Sequence, residues 1–352
     1  LLEDIMDMKI PEDFLLDHDQ RILLADRLSR LIVPWARELL RSSQPRSTDP
    51  TLPSSQRGEY NLQLFRRVTN ALDDAQKHVT PDCTCSFIGP SLSDVCKFVA
   101  DKKVPVIVFD GTNIRVSTAR DTPYVAISHV WADGLGSTTE VGLPNCQVQR
   151  LARLAGQLVS SGGFWQDGLC IPEEKESRNR AIALMAETYT SAEKVLVLDE
   201  GIRSSCQQST PKEECLLRIA TSGWMQRIWT LQEGMLACEL HFELQDNIID
   251  PTHFNNYSFS LARRLIPLLG YRGRDLQTRK FEPRLQQPPK CTVNDLIGLL
   301  RYRTTSKPRD EPVAISGLLR IDASTLVHIE SGEERMKSLL IQVGEVPRKL
   351  AV

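Results

Sequence analysis

The chain has 352 residues, 25% charged and 41% hydrophobic, with a formal net charge of -2, the balance of an ordinary globular protein with two or three structural units. So even a charge offers no field to hold a polyanion, which argues against nucleic acid as a partner, and no apolar run approaches the roughly 20 residues that span a bilayer. Nine cysteines, an odd number without a repeating frame, fit a reduced cytosolic or nuclear setting, with cytoplasmic localisation expected, better than a disulfide scaffold.

In chain order, residues 20–40 place Leu24, Leu28, Leu31, Trp35 and Leu39 at helical spacing, with Pro34 dividing the helix. The Ser/Pro-rich stretch near 41–59 reads as a linker. From Val104 the texture changes. VPVIVF, YVAISHV from Tyr124, the stretch around FWQDGLCI and KVLVLD from Lys194 are short apolar strands. Between the last two, Ser177 to Glu193 carries Ile182, Met185, Ala186 and Tyr189 on one helical face. Strands of this kind alternating with helices predict a parallel sheet covered on both faces. GIRSSCQQSTPKEE reads as a surface loop, and SGWMQRIWTLQEGMLA as one helix with Ser222 as its cap. ELHFEL alternates like a strand, and the remainder is mainly helical by pattern, interrupted by FEPRLQQPPK. The expected organisation is a helical N-terminal region over 1–103, an α/β domain over 104–250 and a mainly helical region over 251–352.

Four blocks, in order, resemble the heterokaryon-incompatibility (HET) domain of fungal proteins: YVAISHVWADGLG, FWQDGLCIP, RNRAIALMAETYTSAEKVLVLD and WMQRIWTLQE. A looser fifth element is RTTSKPRDEPVAISGLL from Arg303. The sequence departs from the HET pattern at His129, where Tyr is usual, at Ala132-Asp133, and at Pro172-Glu173. The resemblance implies a signalling protein of non-self recognition and cell death, acting through self-association or another signalling protein. HET domains are in turn similar to Toll/interleukin-1 receptor (TIR) domains. That similarity implies a flavodoxin-like parallel sheet and, as a second function, cleavage of NAD as substrate with no cofactor required. Glu233 is the best positional match to the TIR catalytic glutamate, a fold-level analogy.

The chemistry expected of these residues follows from NAD itself. Nicotinamide leaves as a neutral molecule, so a single carboxylate that stabilises an oxocarbenium-like ribose suffices. Glu233 would supply it, on one helical face with Gln226 and Trp229, and Trp131 or Trp229 would offer a stacking surface for the nucleotide. Asp167 joins as a strand-end carboxylate, and Ser128 and Asp133 as residues lining the crevice. The alternatives stay open: the tryptophans as packing anchors, Glu233 as a salt-bridge partner of Arg227 or Arg180, Asp133 as turn chemistry. Cys170 with His129 suggests a nucleophile and base, but a cysteine in an apolar strand is ordinarily a core residue. Cys83, Cys85 and His78 lack a fourth metal ligand in the sequence, and their Cys-x-Cys spacing is tighter than structural zinc sites use, so no metal is expected. The basic residues from Arg263 to Lys280 read as a solvated face without aromatic interleaving.

Overall fold

Seven strands form one sheet in the order β3-β2-β6-β4-β7-β8-β9, and its centre is where the sequence is most continuously apolar. The computed structural model describes residues 76–254, 291–300, 303–305 and 307–344, all within one compact unit, Asp73–Val352. The helix expected over 20–40, the linker near 41–59, the basic residues from Arg263 to Lys280 and the FEPRLQQPPK segment lie outside the described residues.

In chain order, β1 (Phe87–Ile88) precedes α1 (Leu92–Ala100). Ser91 caps α1 by accepting from the Asp94 amide, and Val95 and Val99, one turn apart, are its buried face. A hairpin follows, β2 (Pro105–Phe109) with β3 (Ile114–Thr118). Its turn is set by Asp110, whose Oδ1 accepts from the amides of Thr112 and Asn113. Then come β4 (Tyr124–His129), β5 (Leu143–Pro144), α2 (Asn145–Leu158) and β6 (Gly163–Trp165). α3 (Asp167–Cys170), α4 (Lys175–Ala183) and α5 (Met185–Ser191) lead to β7 (Lys194–Leu198). α6 (Glu200–Ser205), α7 (Lys212–Ala220), α8 (Gly223–Gln226) and α9 (Trp229–Leu236) follow, then β8 (Leu240–Glu243) and β9 (Ile248–Ile249). Beyond residue 250 every described element is helical, including α10 (Val293–Leu300), α11 (Glu311–Ser316) and α12 (Gly332–Val343). β1 and β5 make a separate antiparallel pair.

The expected parallel sheet is present in the middle, where β6, β4, β7 and β8 are mutually parallel. It is bordered by antiparallel strands on both sides, so the whole is a mixed sheet. All six residues of β4 are buried, and because alternate side chains point to opposite faces, both faces must be covered. Tyr124 donates to the Thr188 carbonyl of α5 and Ser128 reaches Glu233 of α9, which fixes one face. Val125 and Ile127 point the other way, and α2 packs against β2, β4 and β6. Numbered by their order in the chain, the four parallel strands run 2-1-3-4 across the sheet. This is the flavodoxin-like sequence of strands, with its switch point between β4 and β7.

Several local expectations are corrected. FWQDGLCI is a strand only through Trp165, because the amides of Leu169 and Cys170 both bond back to the Gln166 carbonyl and wind the chain into α3. Cys170 therefore sits in a helical turn. The helix expected from Ser177 to Glu193 is two helices, divided at Leu184. The polar loop after Asp199 contains α6 and the start of α7, with Asp199 capping α6 through the Ile202 amide. The helix expected from Ser222 is broken at Arg227, whose backbone is extended and bridges Thr304. The Ile228 amide bonds to the Thr304 carbonyl at 3.0 Å and the Thr304 amide to the Gln226 carbonyl at 2.6 Å. A distant segment thus outbids local helical propensity.

Gly163 opens β6, and a Cβ there would lie 2.7 Å from the Pro123 carbonyl oxygen and 3.2 Å from Val106 Cγ1. The obstacle is backbone, so it cannot swing aside. Gly163→Ala is expected to cost about 1–3 kcal/mol of unfolding free energy, read from the midpoint of a denaturant titration; an unchanged midpoint would refute this account of the strand packing.

Candidate functional site

The last two residues of β4 are polar yet buried, Ser128 at 0% exposure and His129 at 6%, so each requires partners. Ser128 Oγ accepts from Trp224 Nε1 at 2.6 Å and donates to the Glu233 carboxylate. Trp224 reaches it from α8, whose first turn is held by two caps. Ser222 Oγ accepts from the Met225 amide, and Asp199 Oδ2 accepts from the Trp224 amide at 2.9 Å. Glu233 reaches it from α9. The Trp224 ring packs edge-on to Phe242 of β8 at 5.7 Å, and the Arg303 guanidinium lies over it at 5.8 Å. Arg303 is itself tied down, donating to Thr230 Oγ1 at 2.7 Å and to the Arg227 carbonyl at 2.9 Å.

A second branch starts at His129. Its Nε2 lies 2.7 Å from Asp167 Oδ1, while Trp131 Nε1 donates to Asp167 Oδ2 at 2.6 Å. The Gly168 amide and the Gln166 side chain also donate to Asp167 Oδ1. Burial penalises the charged form of Asp167, but the His129 charge and these hydrogen bonds outweigh it and hold the carboxyl below its ordinary range. Burial likewise lowers the His129 pKa, and the adjacent Asp167 carboxylate more than offsets it, leaving it raised. Glu233 behaves differently. Burial pushes its carboxyl up to about 7, the Ser128 hydrogen bond draws it back only in part, and the Asp167 charge adds to the rise.

A cleft of about 460 Å³ opens at the carboxyl end of the switch-point pair, where an open α/β sheet takes its ligand. Asp133 and Leu135 line it from beyond β4, Leu198 and Asp199 from the end of β7, and Arg150 of α2 faces them. Asp133 Oδ2 accepts from the Glu200 amide at 2.8 Å, and burial raises its pKa.

Of the residues singled out in the sequence, Ser128, Asp167, Trp131 and Glu233 gather in the two linked branches at the carboxyl edge of β4. Asp133 lines the cleft at the switch point, and Trp229 packs half-buried against the core at the start of α9. With the helix broken at Arg227, Gln226 no longer shares a helical face with Trp229 and Glu233. Glu233 bonds to Ser128, and Arg180 pairs with Glu176 at 3.0 Å. Cys170 Sγ points to the Pro105 carbonyl, while His129 turns to Asp167. Sequence reasoning missed Gln166, Asp199 and Arg303. Their only signal was position, just past a strand end for the first two and inside the fifth block for the third. It also missed Cys146, which joins His78, Cys83 and Cys85. Compared with known proteins, the chain matches no family model, no curated protein and no solved structure.

An unfolded Glu233 loses its proton near the ordinary 4.5 and the folded one near 7. Its contribution to stability is therefore complete below pH 4.5 and falls as pH rises through that window, by about 3 kcal/mol in all. Glu233→Gln carries no such titration. At pH 8 it should melt at or above the wild type, with the advantage vanishing toward pH 5. A variant several degrees less stable at pH 8 would mean that the ionised carboxylate holds the fold through the nearby arginines.

Proposed function

We propose that the chain is a signalling module of the HET type, acting through self-association or binding of a partner protein. What carries the reading is that the blocks resembling HET domains spend their polar tips on one another. Trp224 donates to Ser128 and Ser128 to Glu233, while His129 and Trp131 both end on Asp167. Residues up to 105 positions apart are thereby joined by buried and part-buried hydrogen bonds, with His129 Nδ1 and Gln166 Oε1 left without a partner among the described residues. A motif of that kind specifies a scaffold, and signalling by assembly needs the scaffold's surfaces rather than an open pocket at the motif.

Cleavage of NAD is the second reading, favoured by one observation: Glu233 is a buried carboxyl with a pKa of about 7 near the carboxyl edge of a flavodoxin-like sheet. Against it, Glu233 is only 7% exposed and does not line the cleft at the switch point. A ribose could meet its carboxylate only after α8 or α9 moved.

Light scattering on the purified full chain should show mass rising with concentration, and expression in a filamentous fungus should arrest growth. A chain that stays monomeric and is neutral to growth at high expression would overturn the signalling reading. Incubated with NAD, the same preparation is expected to release no nicotinamide above background. If it does, and Glu233→Gln lowers the rate about 100- to 1,000-fold without lowering the melting temperature, the enzymatic reading replaces the first.

A further inference from the structure

Outside the motif cluster, four side chains with metal-binding atoms converge on one point. His78, Cys83, Cys85 and Cys146 are all half-buried, and their Nδ1, Nε2 or Sγ atoms lie within 4.8 Å of one another. The first three come from the segment leading into β1. The fourth comes from the first turn of α2, 61 residues beyond Cys85. We propose that these four residues form a structural zinc site of the Cys₃His type.

Geometry is the first support. Tetrahedral zinc with Zn–S near 2.3 Å and Zn–N near 2.0–2.1 Å places sulfur and nitrogen donors about 3.5 Å apart and two sulfurs about 3.8 Å apart. His78 Nδ1 lies 3.4 Å from Cys85 Sγ and 3.6 Å from Cys146 Sγ, already the edges of such a tetrahedron. The widest separation allowed within the set closes by about 1 Å, a small rotation of a cysteine side chain. The Cys83 amide bonds back to the Thr80 carbonyl at 3.1 Å, and this turn lets so short a Cys-x-Cys spacing share a centre with His78.

The surroundings are the second support. Zinc binds thiolates, and thiolates need donors around them. The Val79 amide donates to Cys146 Sγ and the Cys146 amide to Cys85 Sγ, both at 3.3 Å. The second of these amides belongs to the N-terminal turn of a 14-residue helix, where backbone N–H groups and the helix dipole favour negative charge. Four protein ligands fill a tetrahedron and leave no open position, so the metal would be structural rather than catalytic. Its place in the fold agrees. The site staples the 78–85 segment to α2 beside the short β1–β5 pairing, which joins only Phe87 and Ile88 to Pro144 and Leu143. Beside these two residue pairs the segment is held by scattered bonds, such as the Lys77 amide to the Gly134 carbonyl and Gln147 Nε2 to the Lys77 carbonyl, and residues 77–81 form one wall of the cleft at the switch point.

The full chain, expressed with zinc in the medium and purified without chelator, should carry one zinc per molecule by elemental analysis. Cys85→Ser and Cys146→Ser should each fall below about a fifth of that, whereas His78→Cys, which keeps four ligands, and Cys96→Ser, a half-buried cysteine of α1 outside the set, should retain it. Titrating metal-free wild type with Co²⁺ gives a readout that does not depend on the variants folding. Thiolate-to-cobalt charge transfer together with tetrahedral d–d bands is expected, and zinc should displace both. Stripping the metal should lower the melting midpoint by on the order of 5–10 °C, restored by zinc. Wild type with reduced thiols, only trace zinc and no cobalt charge-transfer band would overturn the proposal, as would a native disulfide between any two of the three cysteines.

Discussion

Trp224 and Glu233 arrive from two different helices and both end on the hydroxyl of Ser128, in the middle strand of the sheet. That hydroxyl is wholly buried, so neither the indole N–H nor the carboxyl can fall back on water if it is lost. An unpaired buried polar group costs about 1–3 kcal/mol, and two would be stranded together. The position of α8 and α9 over the sheet is therefore tied to one side chain. The break at Arg227, imposed by the bridge to Thr304, serves the same contacts. It lets Trp224 and Glu233 approach Ser128 from separate helices, and the extended residue between them is secured by Thr304. Arg303, next to that bridge, then covers the outer face of the Trp224 ring.

The two carboxylates of the cluster illustrate how environment decides charge. Glu233 is buried and the Asp167 side chain is 17% exposed, and desolvation raises both. Asp167 receives His129, the Trp131 indole, the Gln166 amide and the Gly168 backbone amide, enough to keep it ionised. For Glu233 the Ser128 hydroxyl and the charges of His129 and Arg227 offset burial only in part, so its pKa settles near 7. A carboxyl poised there is what a proton-transfer residue requires, but the same value arises wherever a glutamate is buried with too few donors. Burial of 93% or more around Ser128, Trp224 and Glu233 favours the second explanation.

The central strands were legible because a sheet covered on both faces leaves its imprint as short apolar runs such as YVAI and KVLVL, and ELHFEL was legible by its alternation; YVAISH, KVLVL and LHFE are buried at nearly every position. Helix boundaries were less so, since what divides the segments at Leu184 and Arg227 is not a local signal. At Arg227 it is a strand-like bridge to a residue 77 positions on in the chain. In the candidate site, Ser128, Trp131, Asp167 and Glu233 lie together at the carboxyl edge of β4; they were singled out by motif resemblance and by place at a strand end, since periodicity alone could not pair residues so far apart. Asp133, singled out as a residue of the crevice, lines the cleft from the short helical turn at Trp131–Asp133, where its carboxylate accepts from the Glu200 amide. The fourth member of the cluster was invisible in the sequence for the simplest reason: Cys146 is brought to Cys85 by long-range contacts, the pairing of β1 with β5 and the bonds beside it.

The cleft at the switch point bears on what the module can bind. In flavodoxin-like sheets this is where an anionic cofactor rests, held by unspent cations and backbone amides. Here the charges facing it are largely spent on one another. Arg150 pairs with Glu243 and Arg203 with Glu200, Lys77 Nζ donates to the Ala132 carbonyl, and both oxygens of Asp199 accept backbone amides. Four acidic residues line the cavity against three basic ones, counting Asp133, Asp199, Glu200 and Glu243 against Lys77, Arg150 and Arg203. A phosphate-bearing ligand that drew on Arg150 or Arg203 would break a pair and then lie beside the carboxylate it released, where like-charge repulsion opposes binding. The sheet keeps a flavodoxin-like order of parallel strands, while most of the charges lining its crevice are already paired with one another.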